Sequence, residues 1–285
     1  MKYIAIAFIA AMLMTSCNKI GQISMESAKM AIKTANATHE YRDSEKWGKV
    51  TEKMISNEET FFNAIQVNGN VEVILTQDST FSIKAIGNEK AIEEYQFMFN
   101  TDSTTSTTEL VANLKNYTWN ANKSVDAVTP AITLEVSAPS LHGIVVYGAA
   151  SIKVKSDIKQ NNDFTVRING TGDVDTKKLD IENLYIEING AGDIKIKEAK
   201  CQGNATFQID GAGDADADIE CANLKTIVNG AGDINFKVKC NELQAECNGA
   251  GDIKLKGECH TLIKSDGPLG GIDSRELKTT KVDIR

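Results

Sequence analysis

The amino-acid sequence predicts an all-β chain built as a parallel β-solenoid, a β-helix of about 20-residue coils, behind an irregular β-rich region. Two patterns predict it. A five-residue unit recurs as NGTGD (169–173), NGAGD (189–193), DGAGD (210–214), NGAGD (229–233) and NGAGD (248–252). Its final aspartates are 20, 21, 19 and 19 residues apart. Worn copies extend the series at both ends, YGAAS (147–151) and DGPLGGID (266–273). Between the units apolar and polar residues alternate, as in Ile194-Lys195-Ile196-Lys197 and at Leu184, Ile186 and Ile188. Period two turns one face of each strand inward and leaves the other in water. A coil this short cannot bury its own apolar edge, so stacking on its neighbours must supply the core.

Taken in chain order, residues 1–16 (MKYIAIAFIAAMLMTS) read as a secretory leader: Lys2, then an apolar run shorter than the ~20 residues a membrane span takes. Cys17 follows Leu13-Met14-Thr15-Ser16 directly, which resembles a bacterial lipobox. The resemblance implies cleavage before Cys17 and acylation of its thiol and new amine. Residues 17–46 are polar and read as the lipidated cysteine and a tether, with a weak helical pattern at 24–37. Residues 47–140 lack the turn unit but are β-rich. Phe62, Ile65, Val67, Val71, Val73 and Leu75 alternate around Asn68-Gly69-Asn70, and further strands are expected at 81–85, 110–117 and 131–136. One short helix is expected within 87–98 and a polar loop at 100–108. This region would cover the first coil, whose bare edge would otherwise invite pairing with other chains. Residues 141–285 are assigned to the solenoid.

The turn chemistry fits stacking. Glycine at two fixed places meets a positive φ or a close backbone approach. The leading Asn169, Asn189, Asp210, Asn229 and Asn248 tolerate the left-handed region, and their amides, stacked ~4.8 Å apart, can bond along the column. The closing Asp173, Asp193, Asp214, Asp233 and Asp252 form a second column, each expected to accept N–H bonds inside its own turn. Cys201, Cys221, Cys240 and Cys259 keep the repeat spacing and fall in the column of Ile158 and Ile181. They therefore read as small inward fillers, as does Cys247 in the column of Ile188, Ile209 and Val228. Buried thiols are expected, although the stacking distance also suits a disulfide. On the outside, Lys195 falls beside Asp216, and Asp218 beside Lys197 and Lys237, which reads as a solvated face rather than a binding patch.

Composition narrows the chemistry. A net charge of −8 argues against nucleic acid as a partner. Three histidines and no C-x-x-C spacing argue against zinc. Calcium-binding rolls place a turn every ~9 residues, so that two turns face each other, whereas here one falls in each coil. No metal site and no cofactor is expected. Arginines occur only at 42, 167, 275 and 285, and the carboxylates sit at repeat-equivalent places instead of converging as an acid–base pair would. No catalytic residue is assigned.

The order of parts resembles the auto-transporter adhesin head GIN domain family of bacterial envelope proteins. The leader ending at Cys17, FFNAIQVNGNVEVILTQ (61–77), APSLHGIVVYGAASIKV (138–154) and the tandem NGAGD turns carry the resemblance, which covers roughly 47–273. It implies a β-helix related to the pectin-lyase-like solenoids, a role in adhesion and no recognised catalytic residues. No translocation barrel follows within the 285 residues, so the expected anchor is the Cys17 lipid. The leading reading is a non-enzymatic outer-membrane lipoprotein that presents a rigid face to a glycan or protein partner. A periplasmic scaffolding lipoprotein without an external ligand and a polysaccharide-active enzyme stay open beside it. Residues 18–21 (NKIG) carry no acidic export signal, which favours the periplasmic side. The exposed ends of a solenoid leave a homo-oligomer open.

Overall fold

The computed structural model describes residues 47–56, 60–104, 106–115 and 130–284; the leader, Cys17 and the tether lie outside the described residues. Among the described residues strands take up 73% and helix 3%, and the strands wind into a solenoid of about seven turns with coils about 20 residues apart. Each coil has a strand segment before its turn and another after it. The pre-turn stack runs through β7 (Gly143–Val154), β9 (Phe164–Ile181), β10 (Leu184–Ile188), β12 (Asn204–Ile209), β14 (Asn223–Val228), β15 (Ile234–Cys247) and β16 (Asp252–Asp266). The post-turn stack adds β11 (Ile194–Cys201), β13 (Ala215–Glu220) and β17 (Gly271–Ile284). Every pairing within these stacks is parallel, because each coil is itself the crossover that parallel strands require.

The alternation read from the sequence becomes the core. Leu184, Ile186 and Ile188 lie in register with Ala205, Phe207 and Ile209, and these with Leu224, Thr226 and Val228; all nine are buried. Large and small side chains interleave. Phe207 meets Phe236 at 4.7 Å between ring centroids, while Ala217 stacks beside Phe236 and Ala245 lies beyond Thr226 in the Phe207 column. Small neighbours make room for the two rings at close-packed density.

Stacking starts earlier in the chain than the turn repeat does. β2 (Ala64–Gln77) lies in register on β7 from Ala64↔Gly143 to Leu75↔Val154, and Gly69 stacks on Gly148 in the turn column. Asn68-Gly69-Asn70 is thus the turn of a first coil. The other edge of β2 is covered by β5 (Thr107–Leu114) and β6 (Ile132–Ala138). These pair antiparallel with β4 (Tyr95–Asp102) and β3 (Ser82–Asn88), and β1 (Val50–Ser56) adds to β3. The one described helix, α1 (Glu89–Glu93), joins β3 to β4. The switch from parallel to antiparallel pairing ends the stack and closes its first edge. Tyr95 Oη fixes the cap to the first turn, accepting from Asn70 N at 3.0 Å and donating to Asn70 O at 2.9 Å. At the far end β17 carries Arg275, Glu276, Lys278 and Lys281, charges that blunt an edge strand.

The turn glycines answer mainly to close approach. A Cβ on Gly211 would lie 1.8 Å from Gly190 O, and one on Gly192 would lie 1.7 Å from Gly172 O. The N–H groups of Ala191, Ala212, Ala231 and Ala250 donate to the glycine carbonyl of the coil before, at 2.7 to 2.9 Å. Of the turn glycines only Gly69, Gly148 and Gly170, in the early coils, also hold a positive φ. Gly211→Ala therefore forces two coils apart and is expected to lower the unfolding free energy by about 3 kcal/mol, measured by urea denaturation.

Candidate functional site

The columns predicted at the turn form, with two differences. Asn189 Nδ2 donates to Asn169 Oδ1 at 3.0 Å, Asn229 Nδ2 to Asp210, and Asn248 Nδ2 to Asn229 Oδ1 at 2.9 Å. Each amide reaches back one coil. Asp210 interrupts the series: its carboxylate accepts from Asn229 and Gln208 but has no N–H to offer Asn189. The aspartates differ from expectation in the turn they serve. Oδ1 of Asp173, Asp193, Asp214 and Asp233 accepts the backbone N–H of the next aspartate along the stack, at 3.0, 3.3, 3.1 and 2.9 Å. In-register stacking brings the neighbouring coil's N–H within reach, so each carboxylate joins two coils.

The last copy ends differently from its sequence alignment. Gly271, not Asp273, stacks on Asp252, and its N–H donates to Asp252 Oδ1 at 3.2 Å. Asp273 instead lies beside Lys254 and takes two bonds from the Arg275 guanidinium, at 2.9 and 2.7 Å. That guanidinium holds the Asp273 carboxyl well below the usual carboxylate range.

The cysteines line one corner. Cys201, Cys221 and Cys259 are buried, Cys240 is half-buried, and all four are free thiols. Cys240 stacks on Cys259 and lies between Cys221 and Cys259 in the column. Cys201 stacks on Ile181 as expected, but Ile158 pairs with Leu179, one column away. Gln160 fills in near that corner, with its amide bonded to both N and O of Leu141, because the segment 155–163 is irregular. Burial pushes the Cys201 thiol up to about 12. The neighbouring Cys221 thiol, and then burial, push Cys240 up to about 12 as well. Cys247 is fully buried, and its Sγ–H donates to Gly251 O at 2.9 Å.

The outer side of the post-turn strands is concave. A groove of about 670 Å³ crosses β7, β9, β11, β13, β15 and β16, from Lys153 to Lys256. Two outward rows line it. The first runs Lys153, Asp175, Lys195, Asp216 and Asn235 in register, with Lys254 next in the row beyond the lining. The second is Lys155, Lys177, Lys197, Asp218, Lys237 and Lys256. Asn235 bonds to Asp216 at 2.8 Å and Lys237 pairs with Asp218 at 3.4 Å, so part of the alternation expected on this face is present. Among the described residues, however, no carboxylate lies within 4.0 Å of Lys155, Lys177, Lys195 or Lys197, all exposed. Together the rows hold eight lysines against three aspartates, on a chain whose net charge is −8. Glu72 pairs with Lys153 and Glu276 lies 3.8 Å from both Lys254 and Lys256, which leaves Lys155, Lys177, Lys195 and Lys197 unpaired among the described residues. A bulge between Ile196 and Ala199 absorbs the one extra residue of that coil beside Lys197. Sequence spacing pairs neighbours one at a time and did not show this excess.

A family described as "Putative auto-transporter adhesin, head GIN domain" matches residues 61–219 and 196–285. The chain belongs to this family. Among solved structures it is similar to a putative adhesin from Parabacteroides distasonis ATCC 8503, at 15% identity and TM-score 0.54, over 84% of this chain and 98% of that one. It is also similar to a putative adhesin from Bacteroides fragilis NCTC 9343, at 15% identity and TM-score 0.51, over 83% and 97%. A putative lipid binding protein from Parabacteroides distasonis matches at 16% identity and TM-score 0.49, over 84% and 97%. At these identities the likeness is one of fold. A search of curated proteins finds no match.

Two outcomes are expected of this head GIN domain chain. Asp210→Asn supplies the missing N–H toward Asn189 and should raise stability by up to about 1 kcal/mol, read from thermal and urea melts. The raised thiols make stability fall with pH between about 9 and 12: there the unfolded thiols ionise and the folded Cys201 and Cys240 do not. Urea melts at pH 8 and pH 10 should show a fall that Cys201→Val/Cys240→Val reduces.

Proposed function

We propose that this protein is a non-enzymatic cell-envelope lipoprotein, held to the outer membrane through an acylated Cys17, whose rigid solenoid presents its groove to a glycan or protein partner as an adhesin does. The observation that carries this reading is the repetition of the groove. Equivalent positions of six coils supply its lining, so it offers an extended contact surface and no single point where an acid, a base and a nucleophile meet. The Asp column, the richest set of repeated carboxylates, bonds from coil to coil and serves the stack. Membership of an adhesin family supports the same reading.

The face of the membrane is decided by experiment, since NKIG at 18–21 points toward the periplasm and the adhesin family toward the surface. Protease treatment of intact cells should digest the folded part while a periplasmic control is spared. Cys17→Ala should release the protein from the membrane fraction. Protection until the outer membrane is opened would leave a periplasmic scaffold in place of the adhesin.

A further inference from the structure

The molecule contains its own control for the groove. A third outward row on the post-turn strands runs Lys159, Asp180, Lys200, Glu220, Lys239, Glu258 and Lys278, in register from coil to coil. Its charges alternate strictly over seven coils. Lys239 lies 3.1 Å from Glu220, and Lys159 and Lys200 each lie 3.9 Å from an acid of the next coil. Alternation of this kind is what a solvated parallel sheet face needs, because like charges on neighbouring strands destabilise it. The second groove row departs from it. Lys155, Lys177 and Lys197 come from successive coils with no carboxylate within 4.0 Å among the described residues, while Lys237, stacked on Lys256, pairs with Asp218, and Lys256 pairs with Glu276. Five of its six positions are lysine. The repulsion is concentrated where the surface is concave and absent from the row beside it.

From this contrast we infer that the groove is a binding site for a linear acidic glycan, its uronate or sulfate groups lying along the Lys155–Lys256 row. The inference rests on the binding role proposed above and names its ligand class. Stacked coils set the row's backbone positions about 4.8 Å apart along the solenoid axis, with lysine at five of the six and Asp218 between Lys197 and Lys237, an array that suits a polymer with regularly repeated anions. Lysine acts here as a hydrated point charge and reads charge without demanding a planar partner. Among the described residues no aromatic side chain lines the groove, so neither a neutral sugar ring nor the bases of a single-stranded nucleic acid find a stacking platform there. An acidic peptide strand would bind most readily at a sheet edge, whereas in the groove the backbone groups are already spent in the parallel ladder.

The test uses purified full-length protein in biolayer interferometry against polygalacturonate and heparin, with dextran, polyglutamate and a single-stranded oligonucleotide in parallel. Binding to polygalacturonate or heparin is expected, none to dextran, and about ten-fold weaker or less to polyglutamate and the oligonucleotide. Affinity should drop about ten-fold or more between roughly 50 and 200 mM salt. Lys177→Gln/Lys197→Gln should weaken binding about ten-fold while its melting temperature holds or rises, since like-charge repulsion is relieved. Lys239→Gln, on the alternating row, should leave binding unchanged. Dextran-like affinity for both acidic glycans, equal binding of polyglutamate or oligonucleotide, or full binding by the double variant would overturn the inference. Surface digestion of intact cells would still stand in those cases. Conversely, protein shielded in the periplasm would sink the adhesin reading and leave glycan binding by the purified chain intact.

Discussion

The contact between turn backbones holds the rest of this structure in place. At each NGAGD turn a glycine packs against the carbonyl of the glycine one coil earlier, with no room for a Cβ, while the intervening alanine N–H bonds across the same gap. That contact sets the coil spacing and pins the register. Parallel in-register stacking then converts a repeat in the chain into columns in space: asparagines over asparagines, aspartates over the next coil's N–H, thiols over thiols. A slip of one residue would exchange the inward and outward sets of every strand. The turns therefore protect the core as much as the core holds the turns together.

Columns concentrate whatever they contain, good or bad. A column of amides gains a bond at each step, and a single Asp210 costs it one. A column of carboxylates would be repulsive, and here each accepts an N–H that offsets the charge. A column of alternating charge sets opposite charges side by side in register along its whole length, as from Lys159 to Lys278. Against these solutions the groove row stands out, because Lys155, Lys177 and Lys197 follow one another over three coils with no carboxylate within 4.0 Å among the described residues. In a solenoid a repeated local cost is multiplied by the number of coils, so an uncompensated row points to something outside the chain that supplies the missing anions.

The same architecture shapes what the protein can do. Binding surface grows with coil number while each coil contributes the same few side chains. This favours extended, repetitive partners over a compact substrate held at one point. The antiparallel cap on β2 and the charged edge of β17 limit open-ended pairing and leave the long sides of the solenoid as the surfaces on offer.

The sequence by itself determined the fold class, the coil length, the inward face of each strand and the family, because glycine turns and period-two alternation are local signals repeated many times. It also placed Cys201, Cys221, Cys259 and Cys247 inside. It did not show Asn68-Gly69-Asn70 as the first turn, since the cap is inserted between that coil and the next and a single worn unit carries no period. Nor did it show that Gly271 replaces Asp273 in the last turn, or that Ile158 shifts by a column, because irregular segments break the count. The direction of the aspartate bonds and the lysine excess of the groove were decided only by tertiary structure. Both are relations between coils some twenty residues apart, and they come into being only when stacking fixes which side chain lies beside which and where the sheet bends.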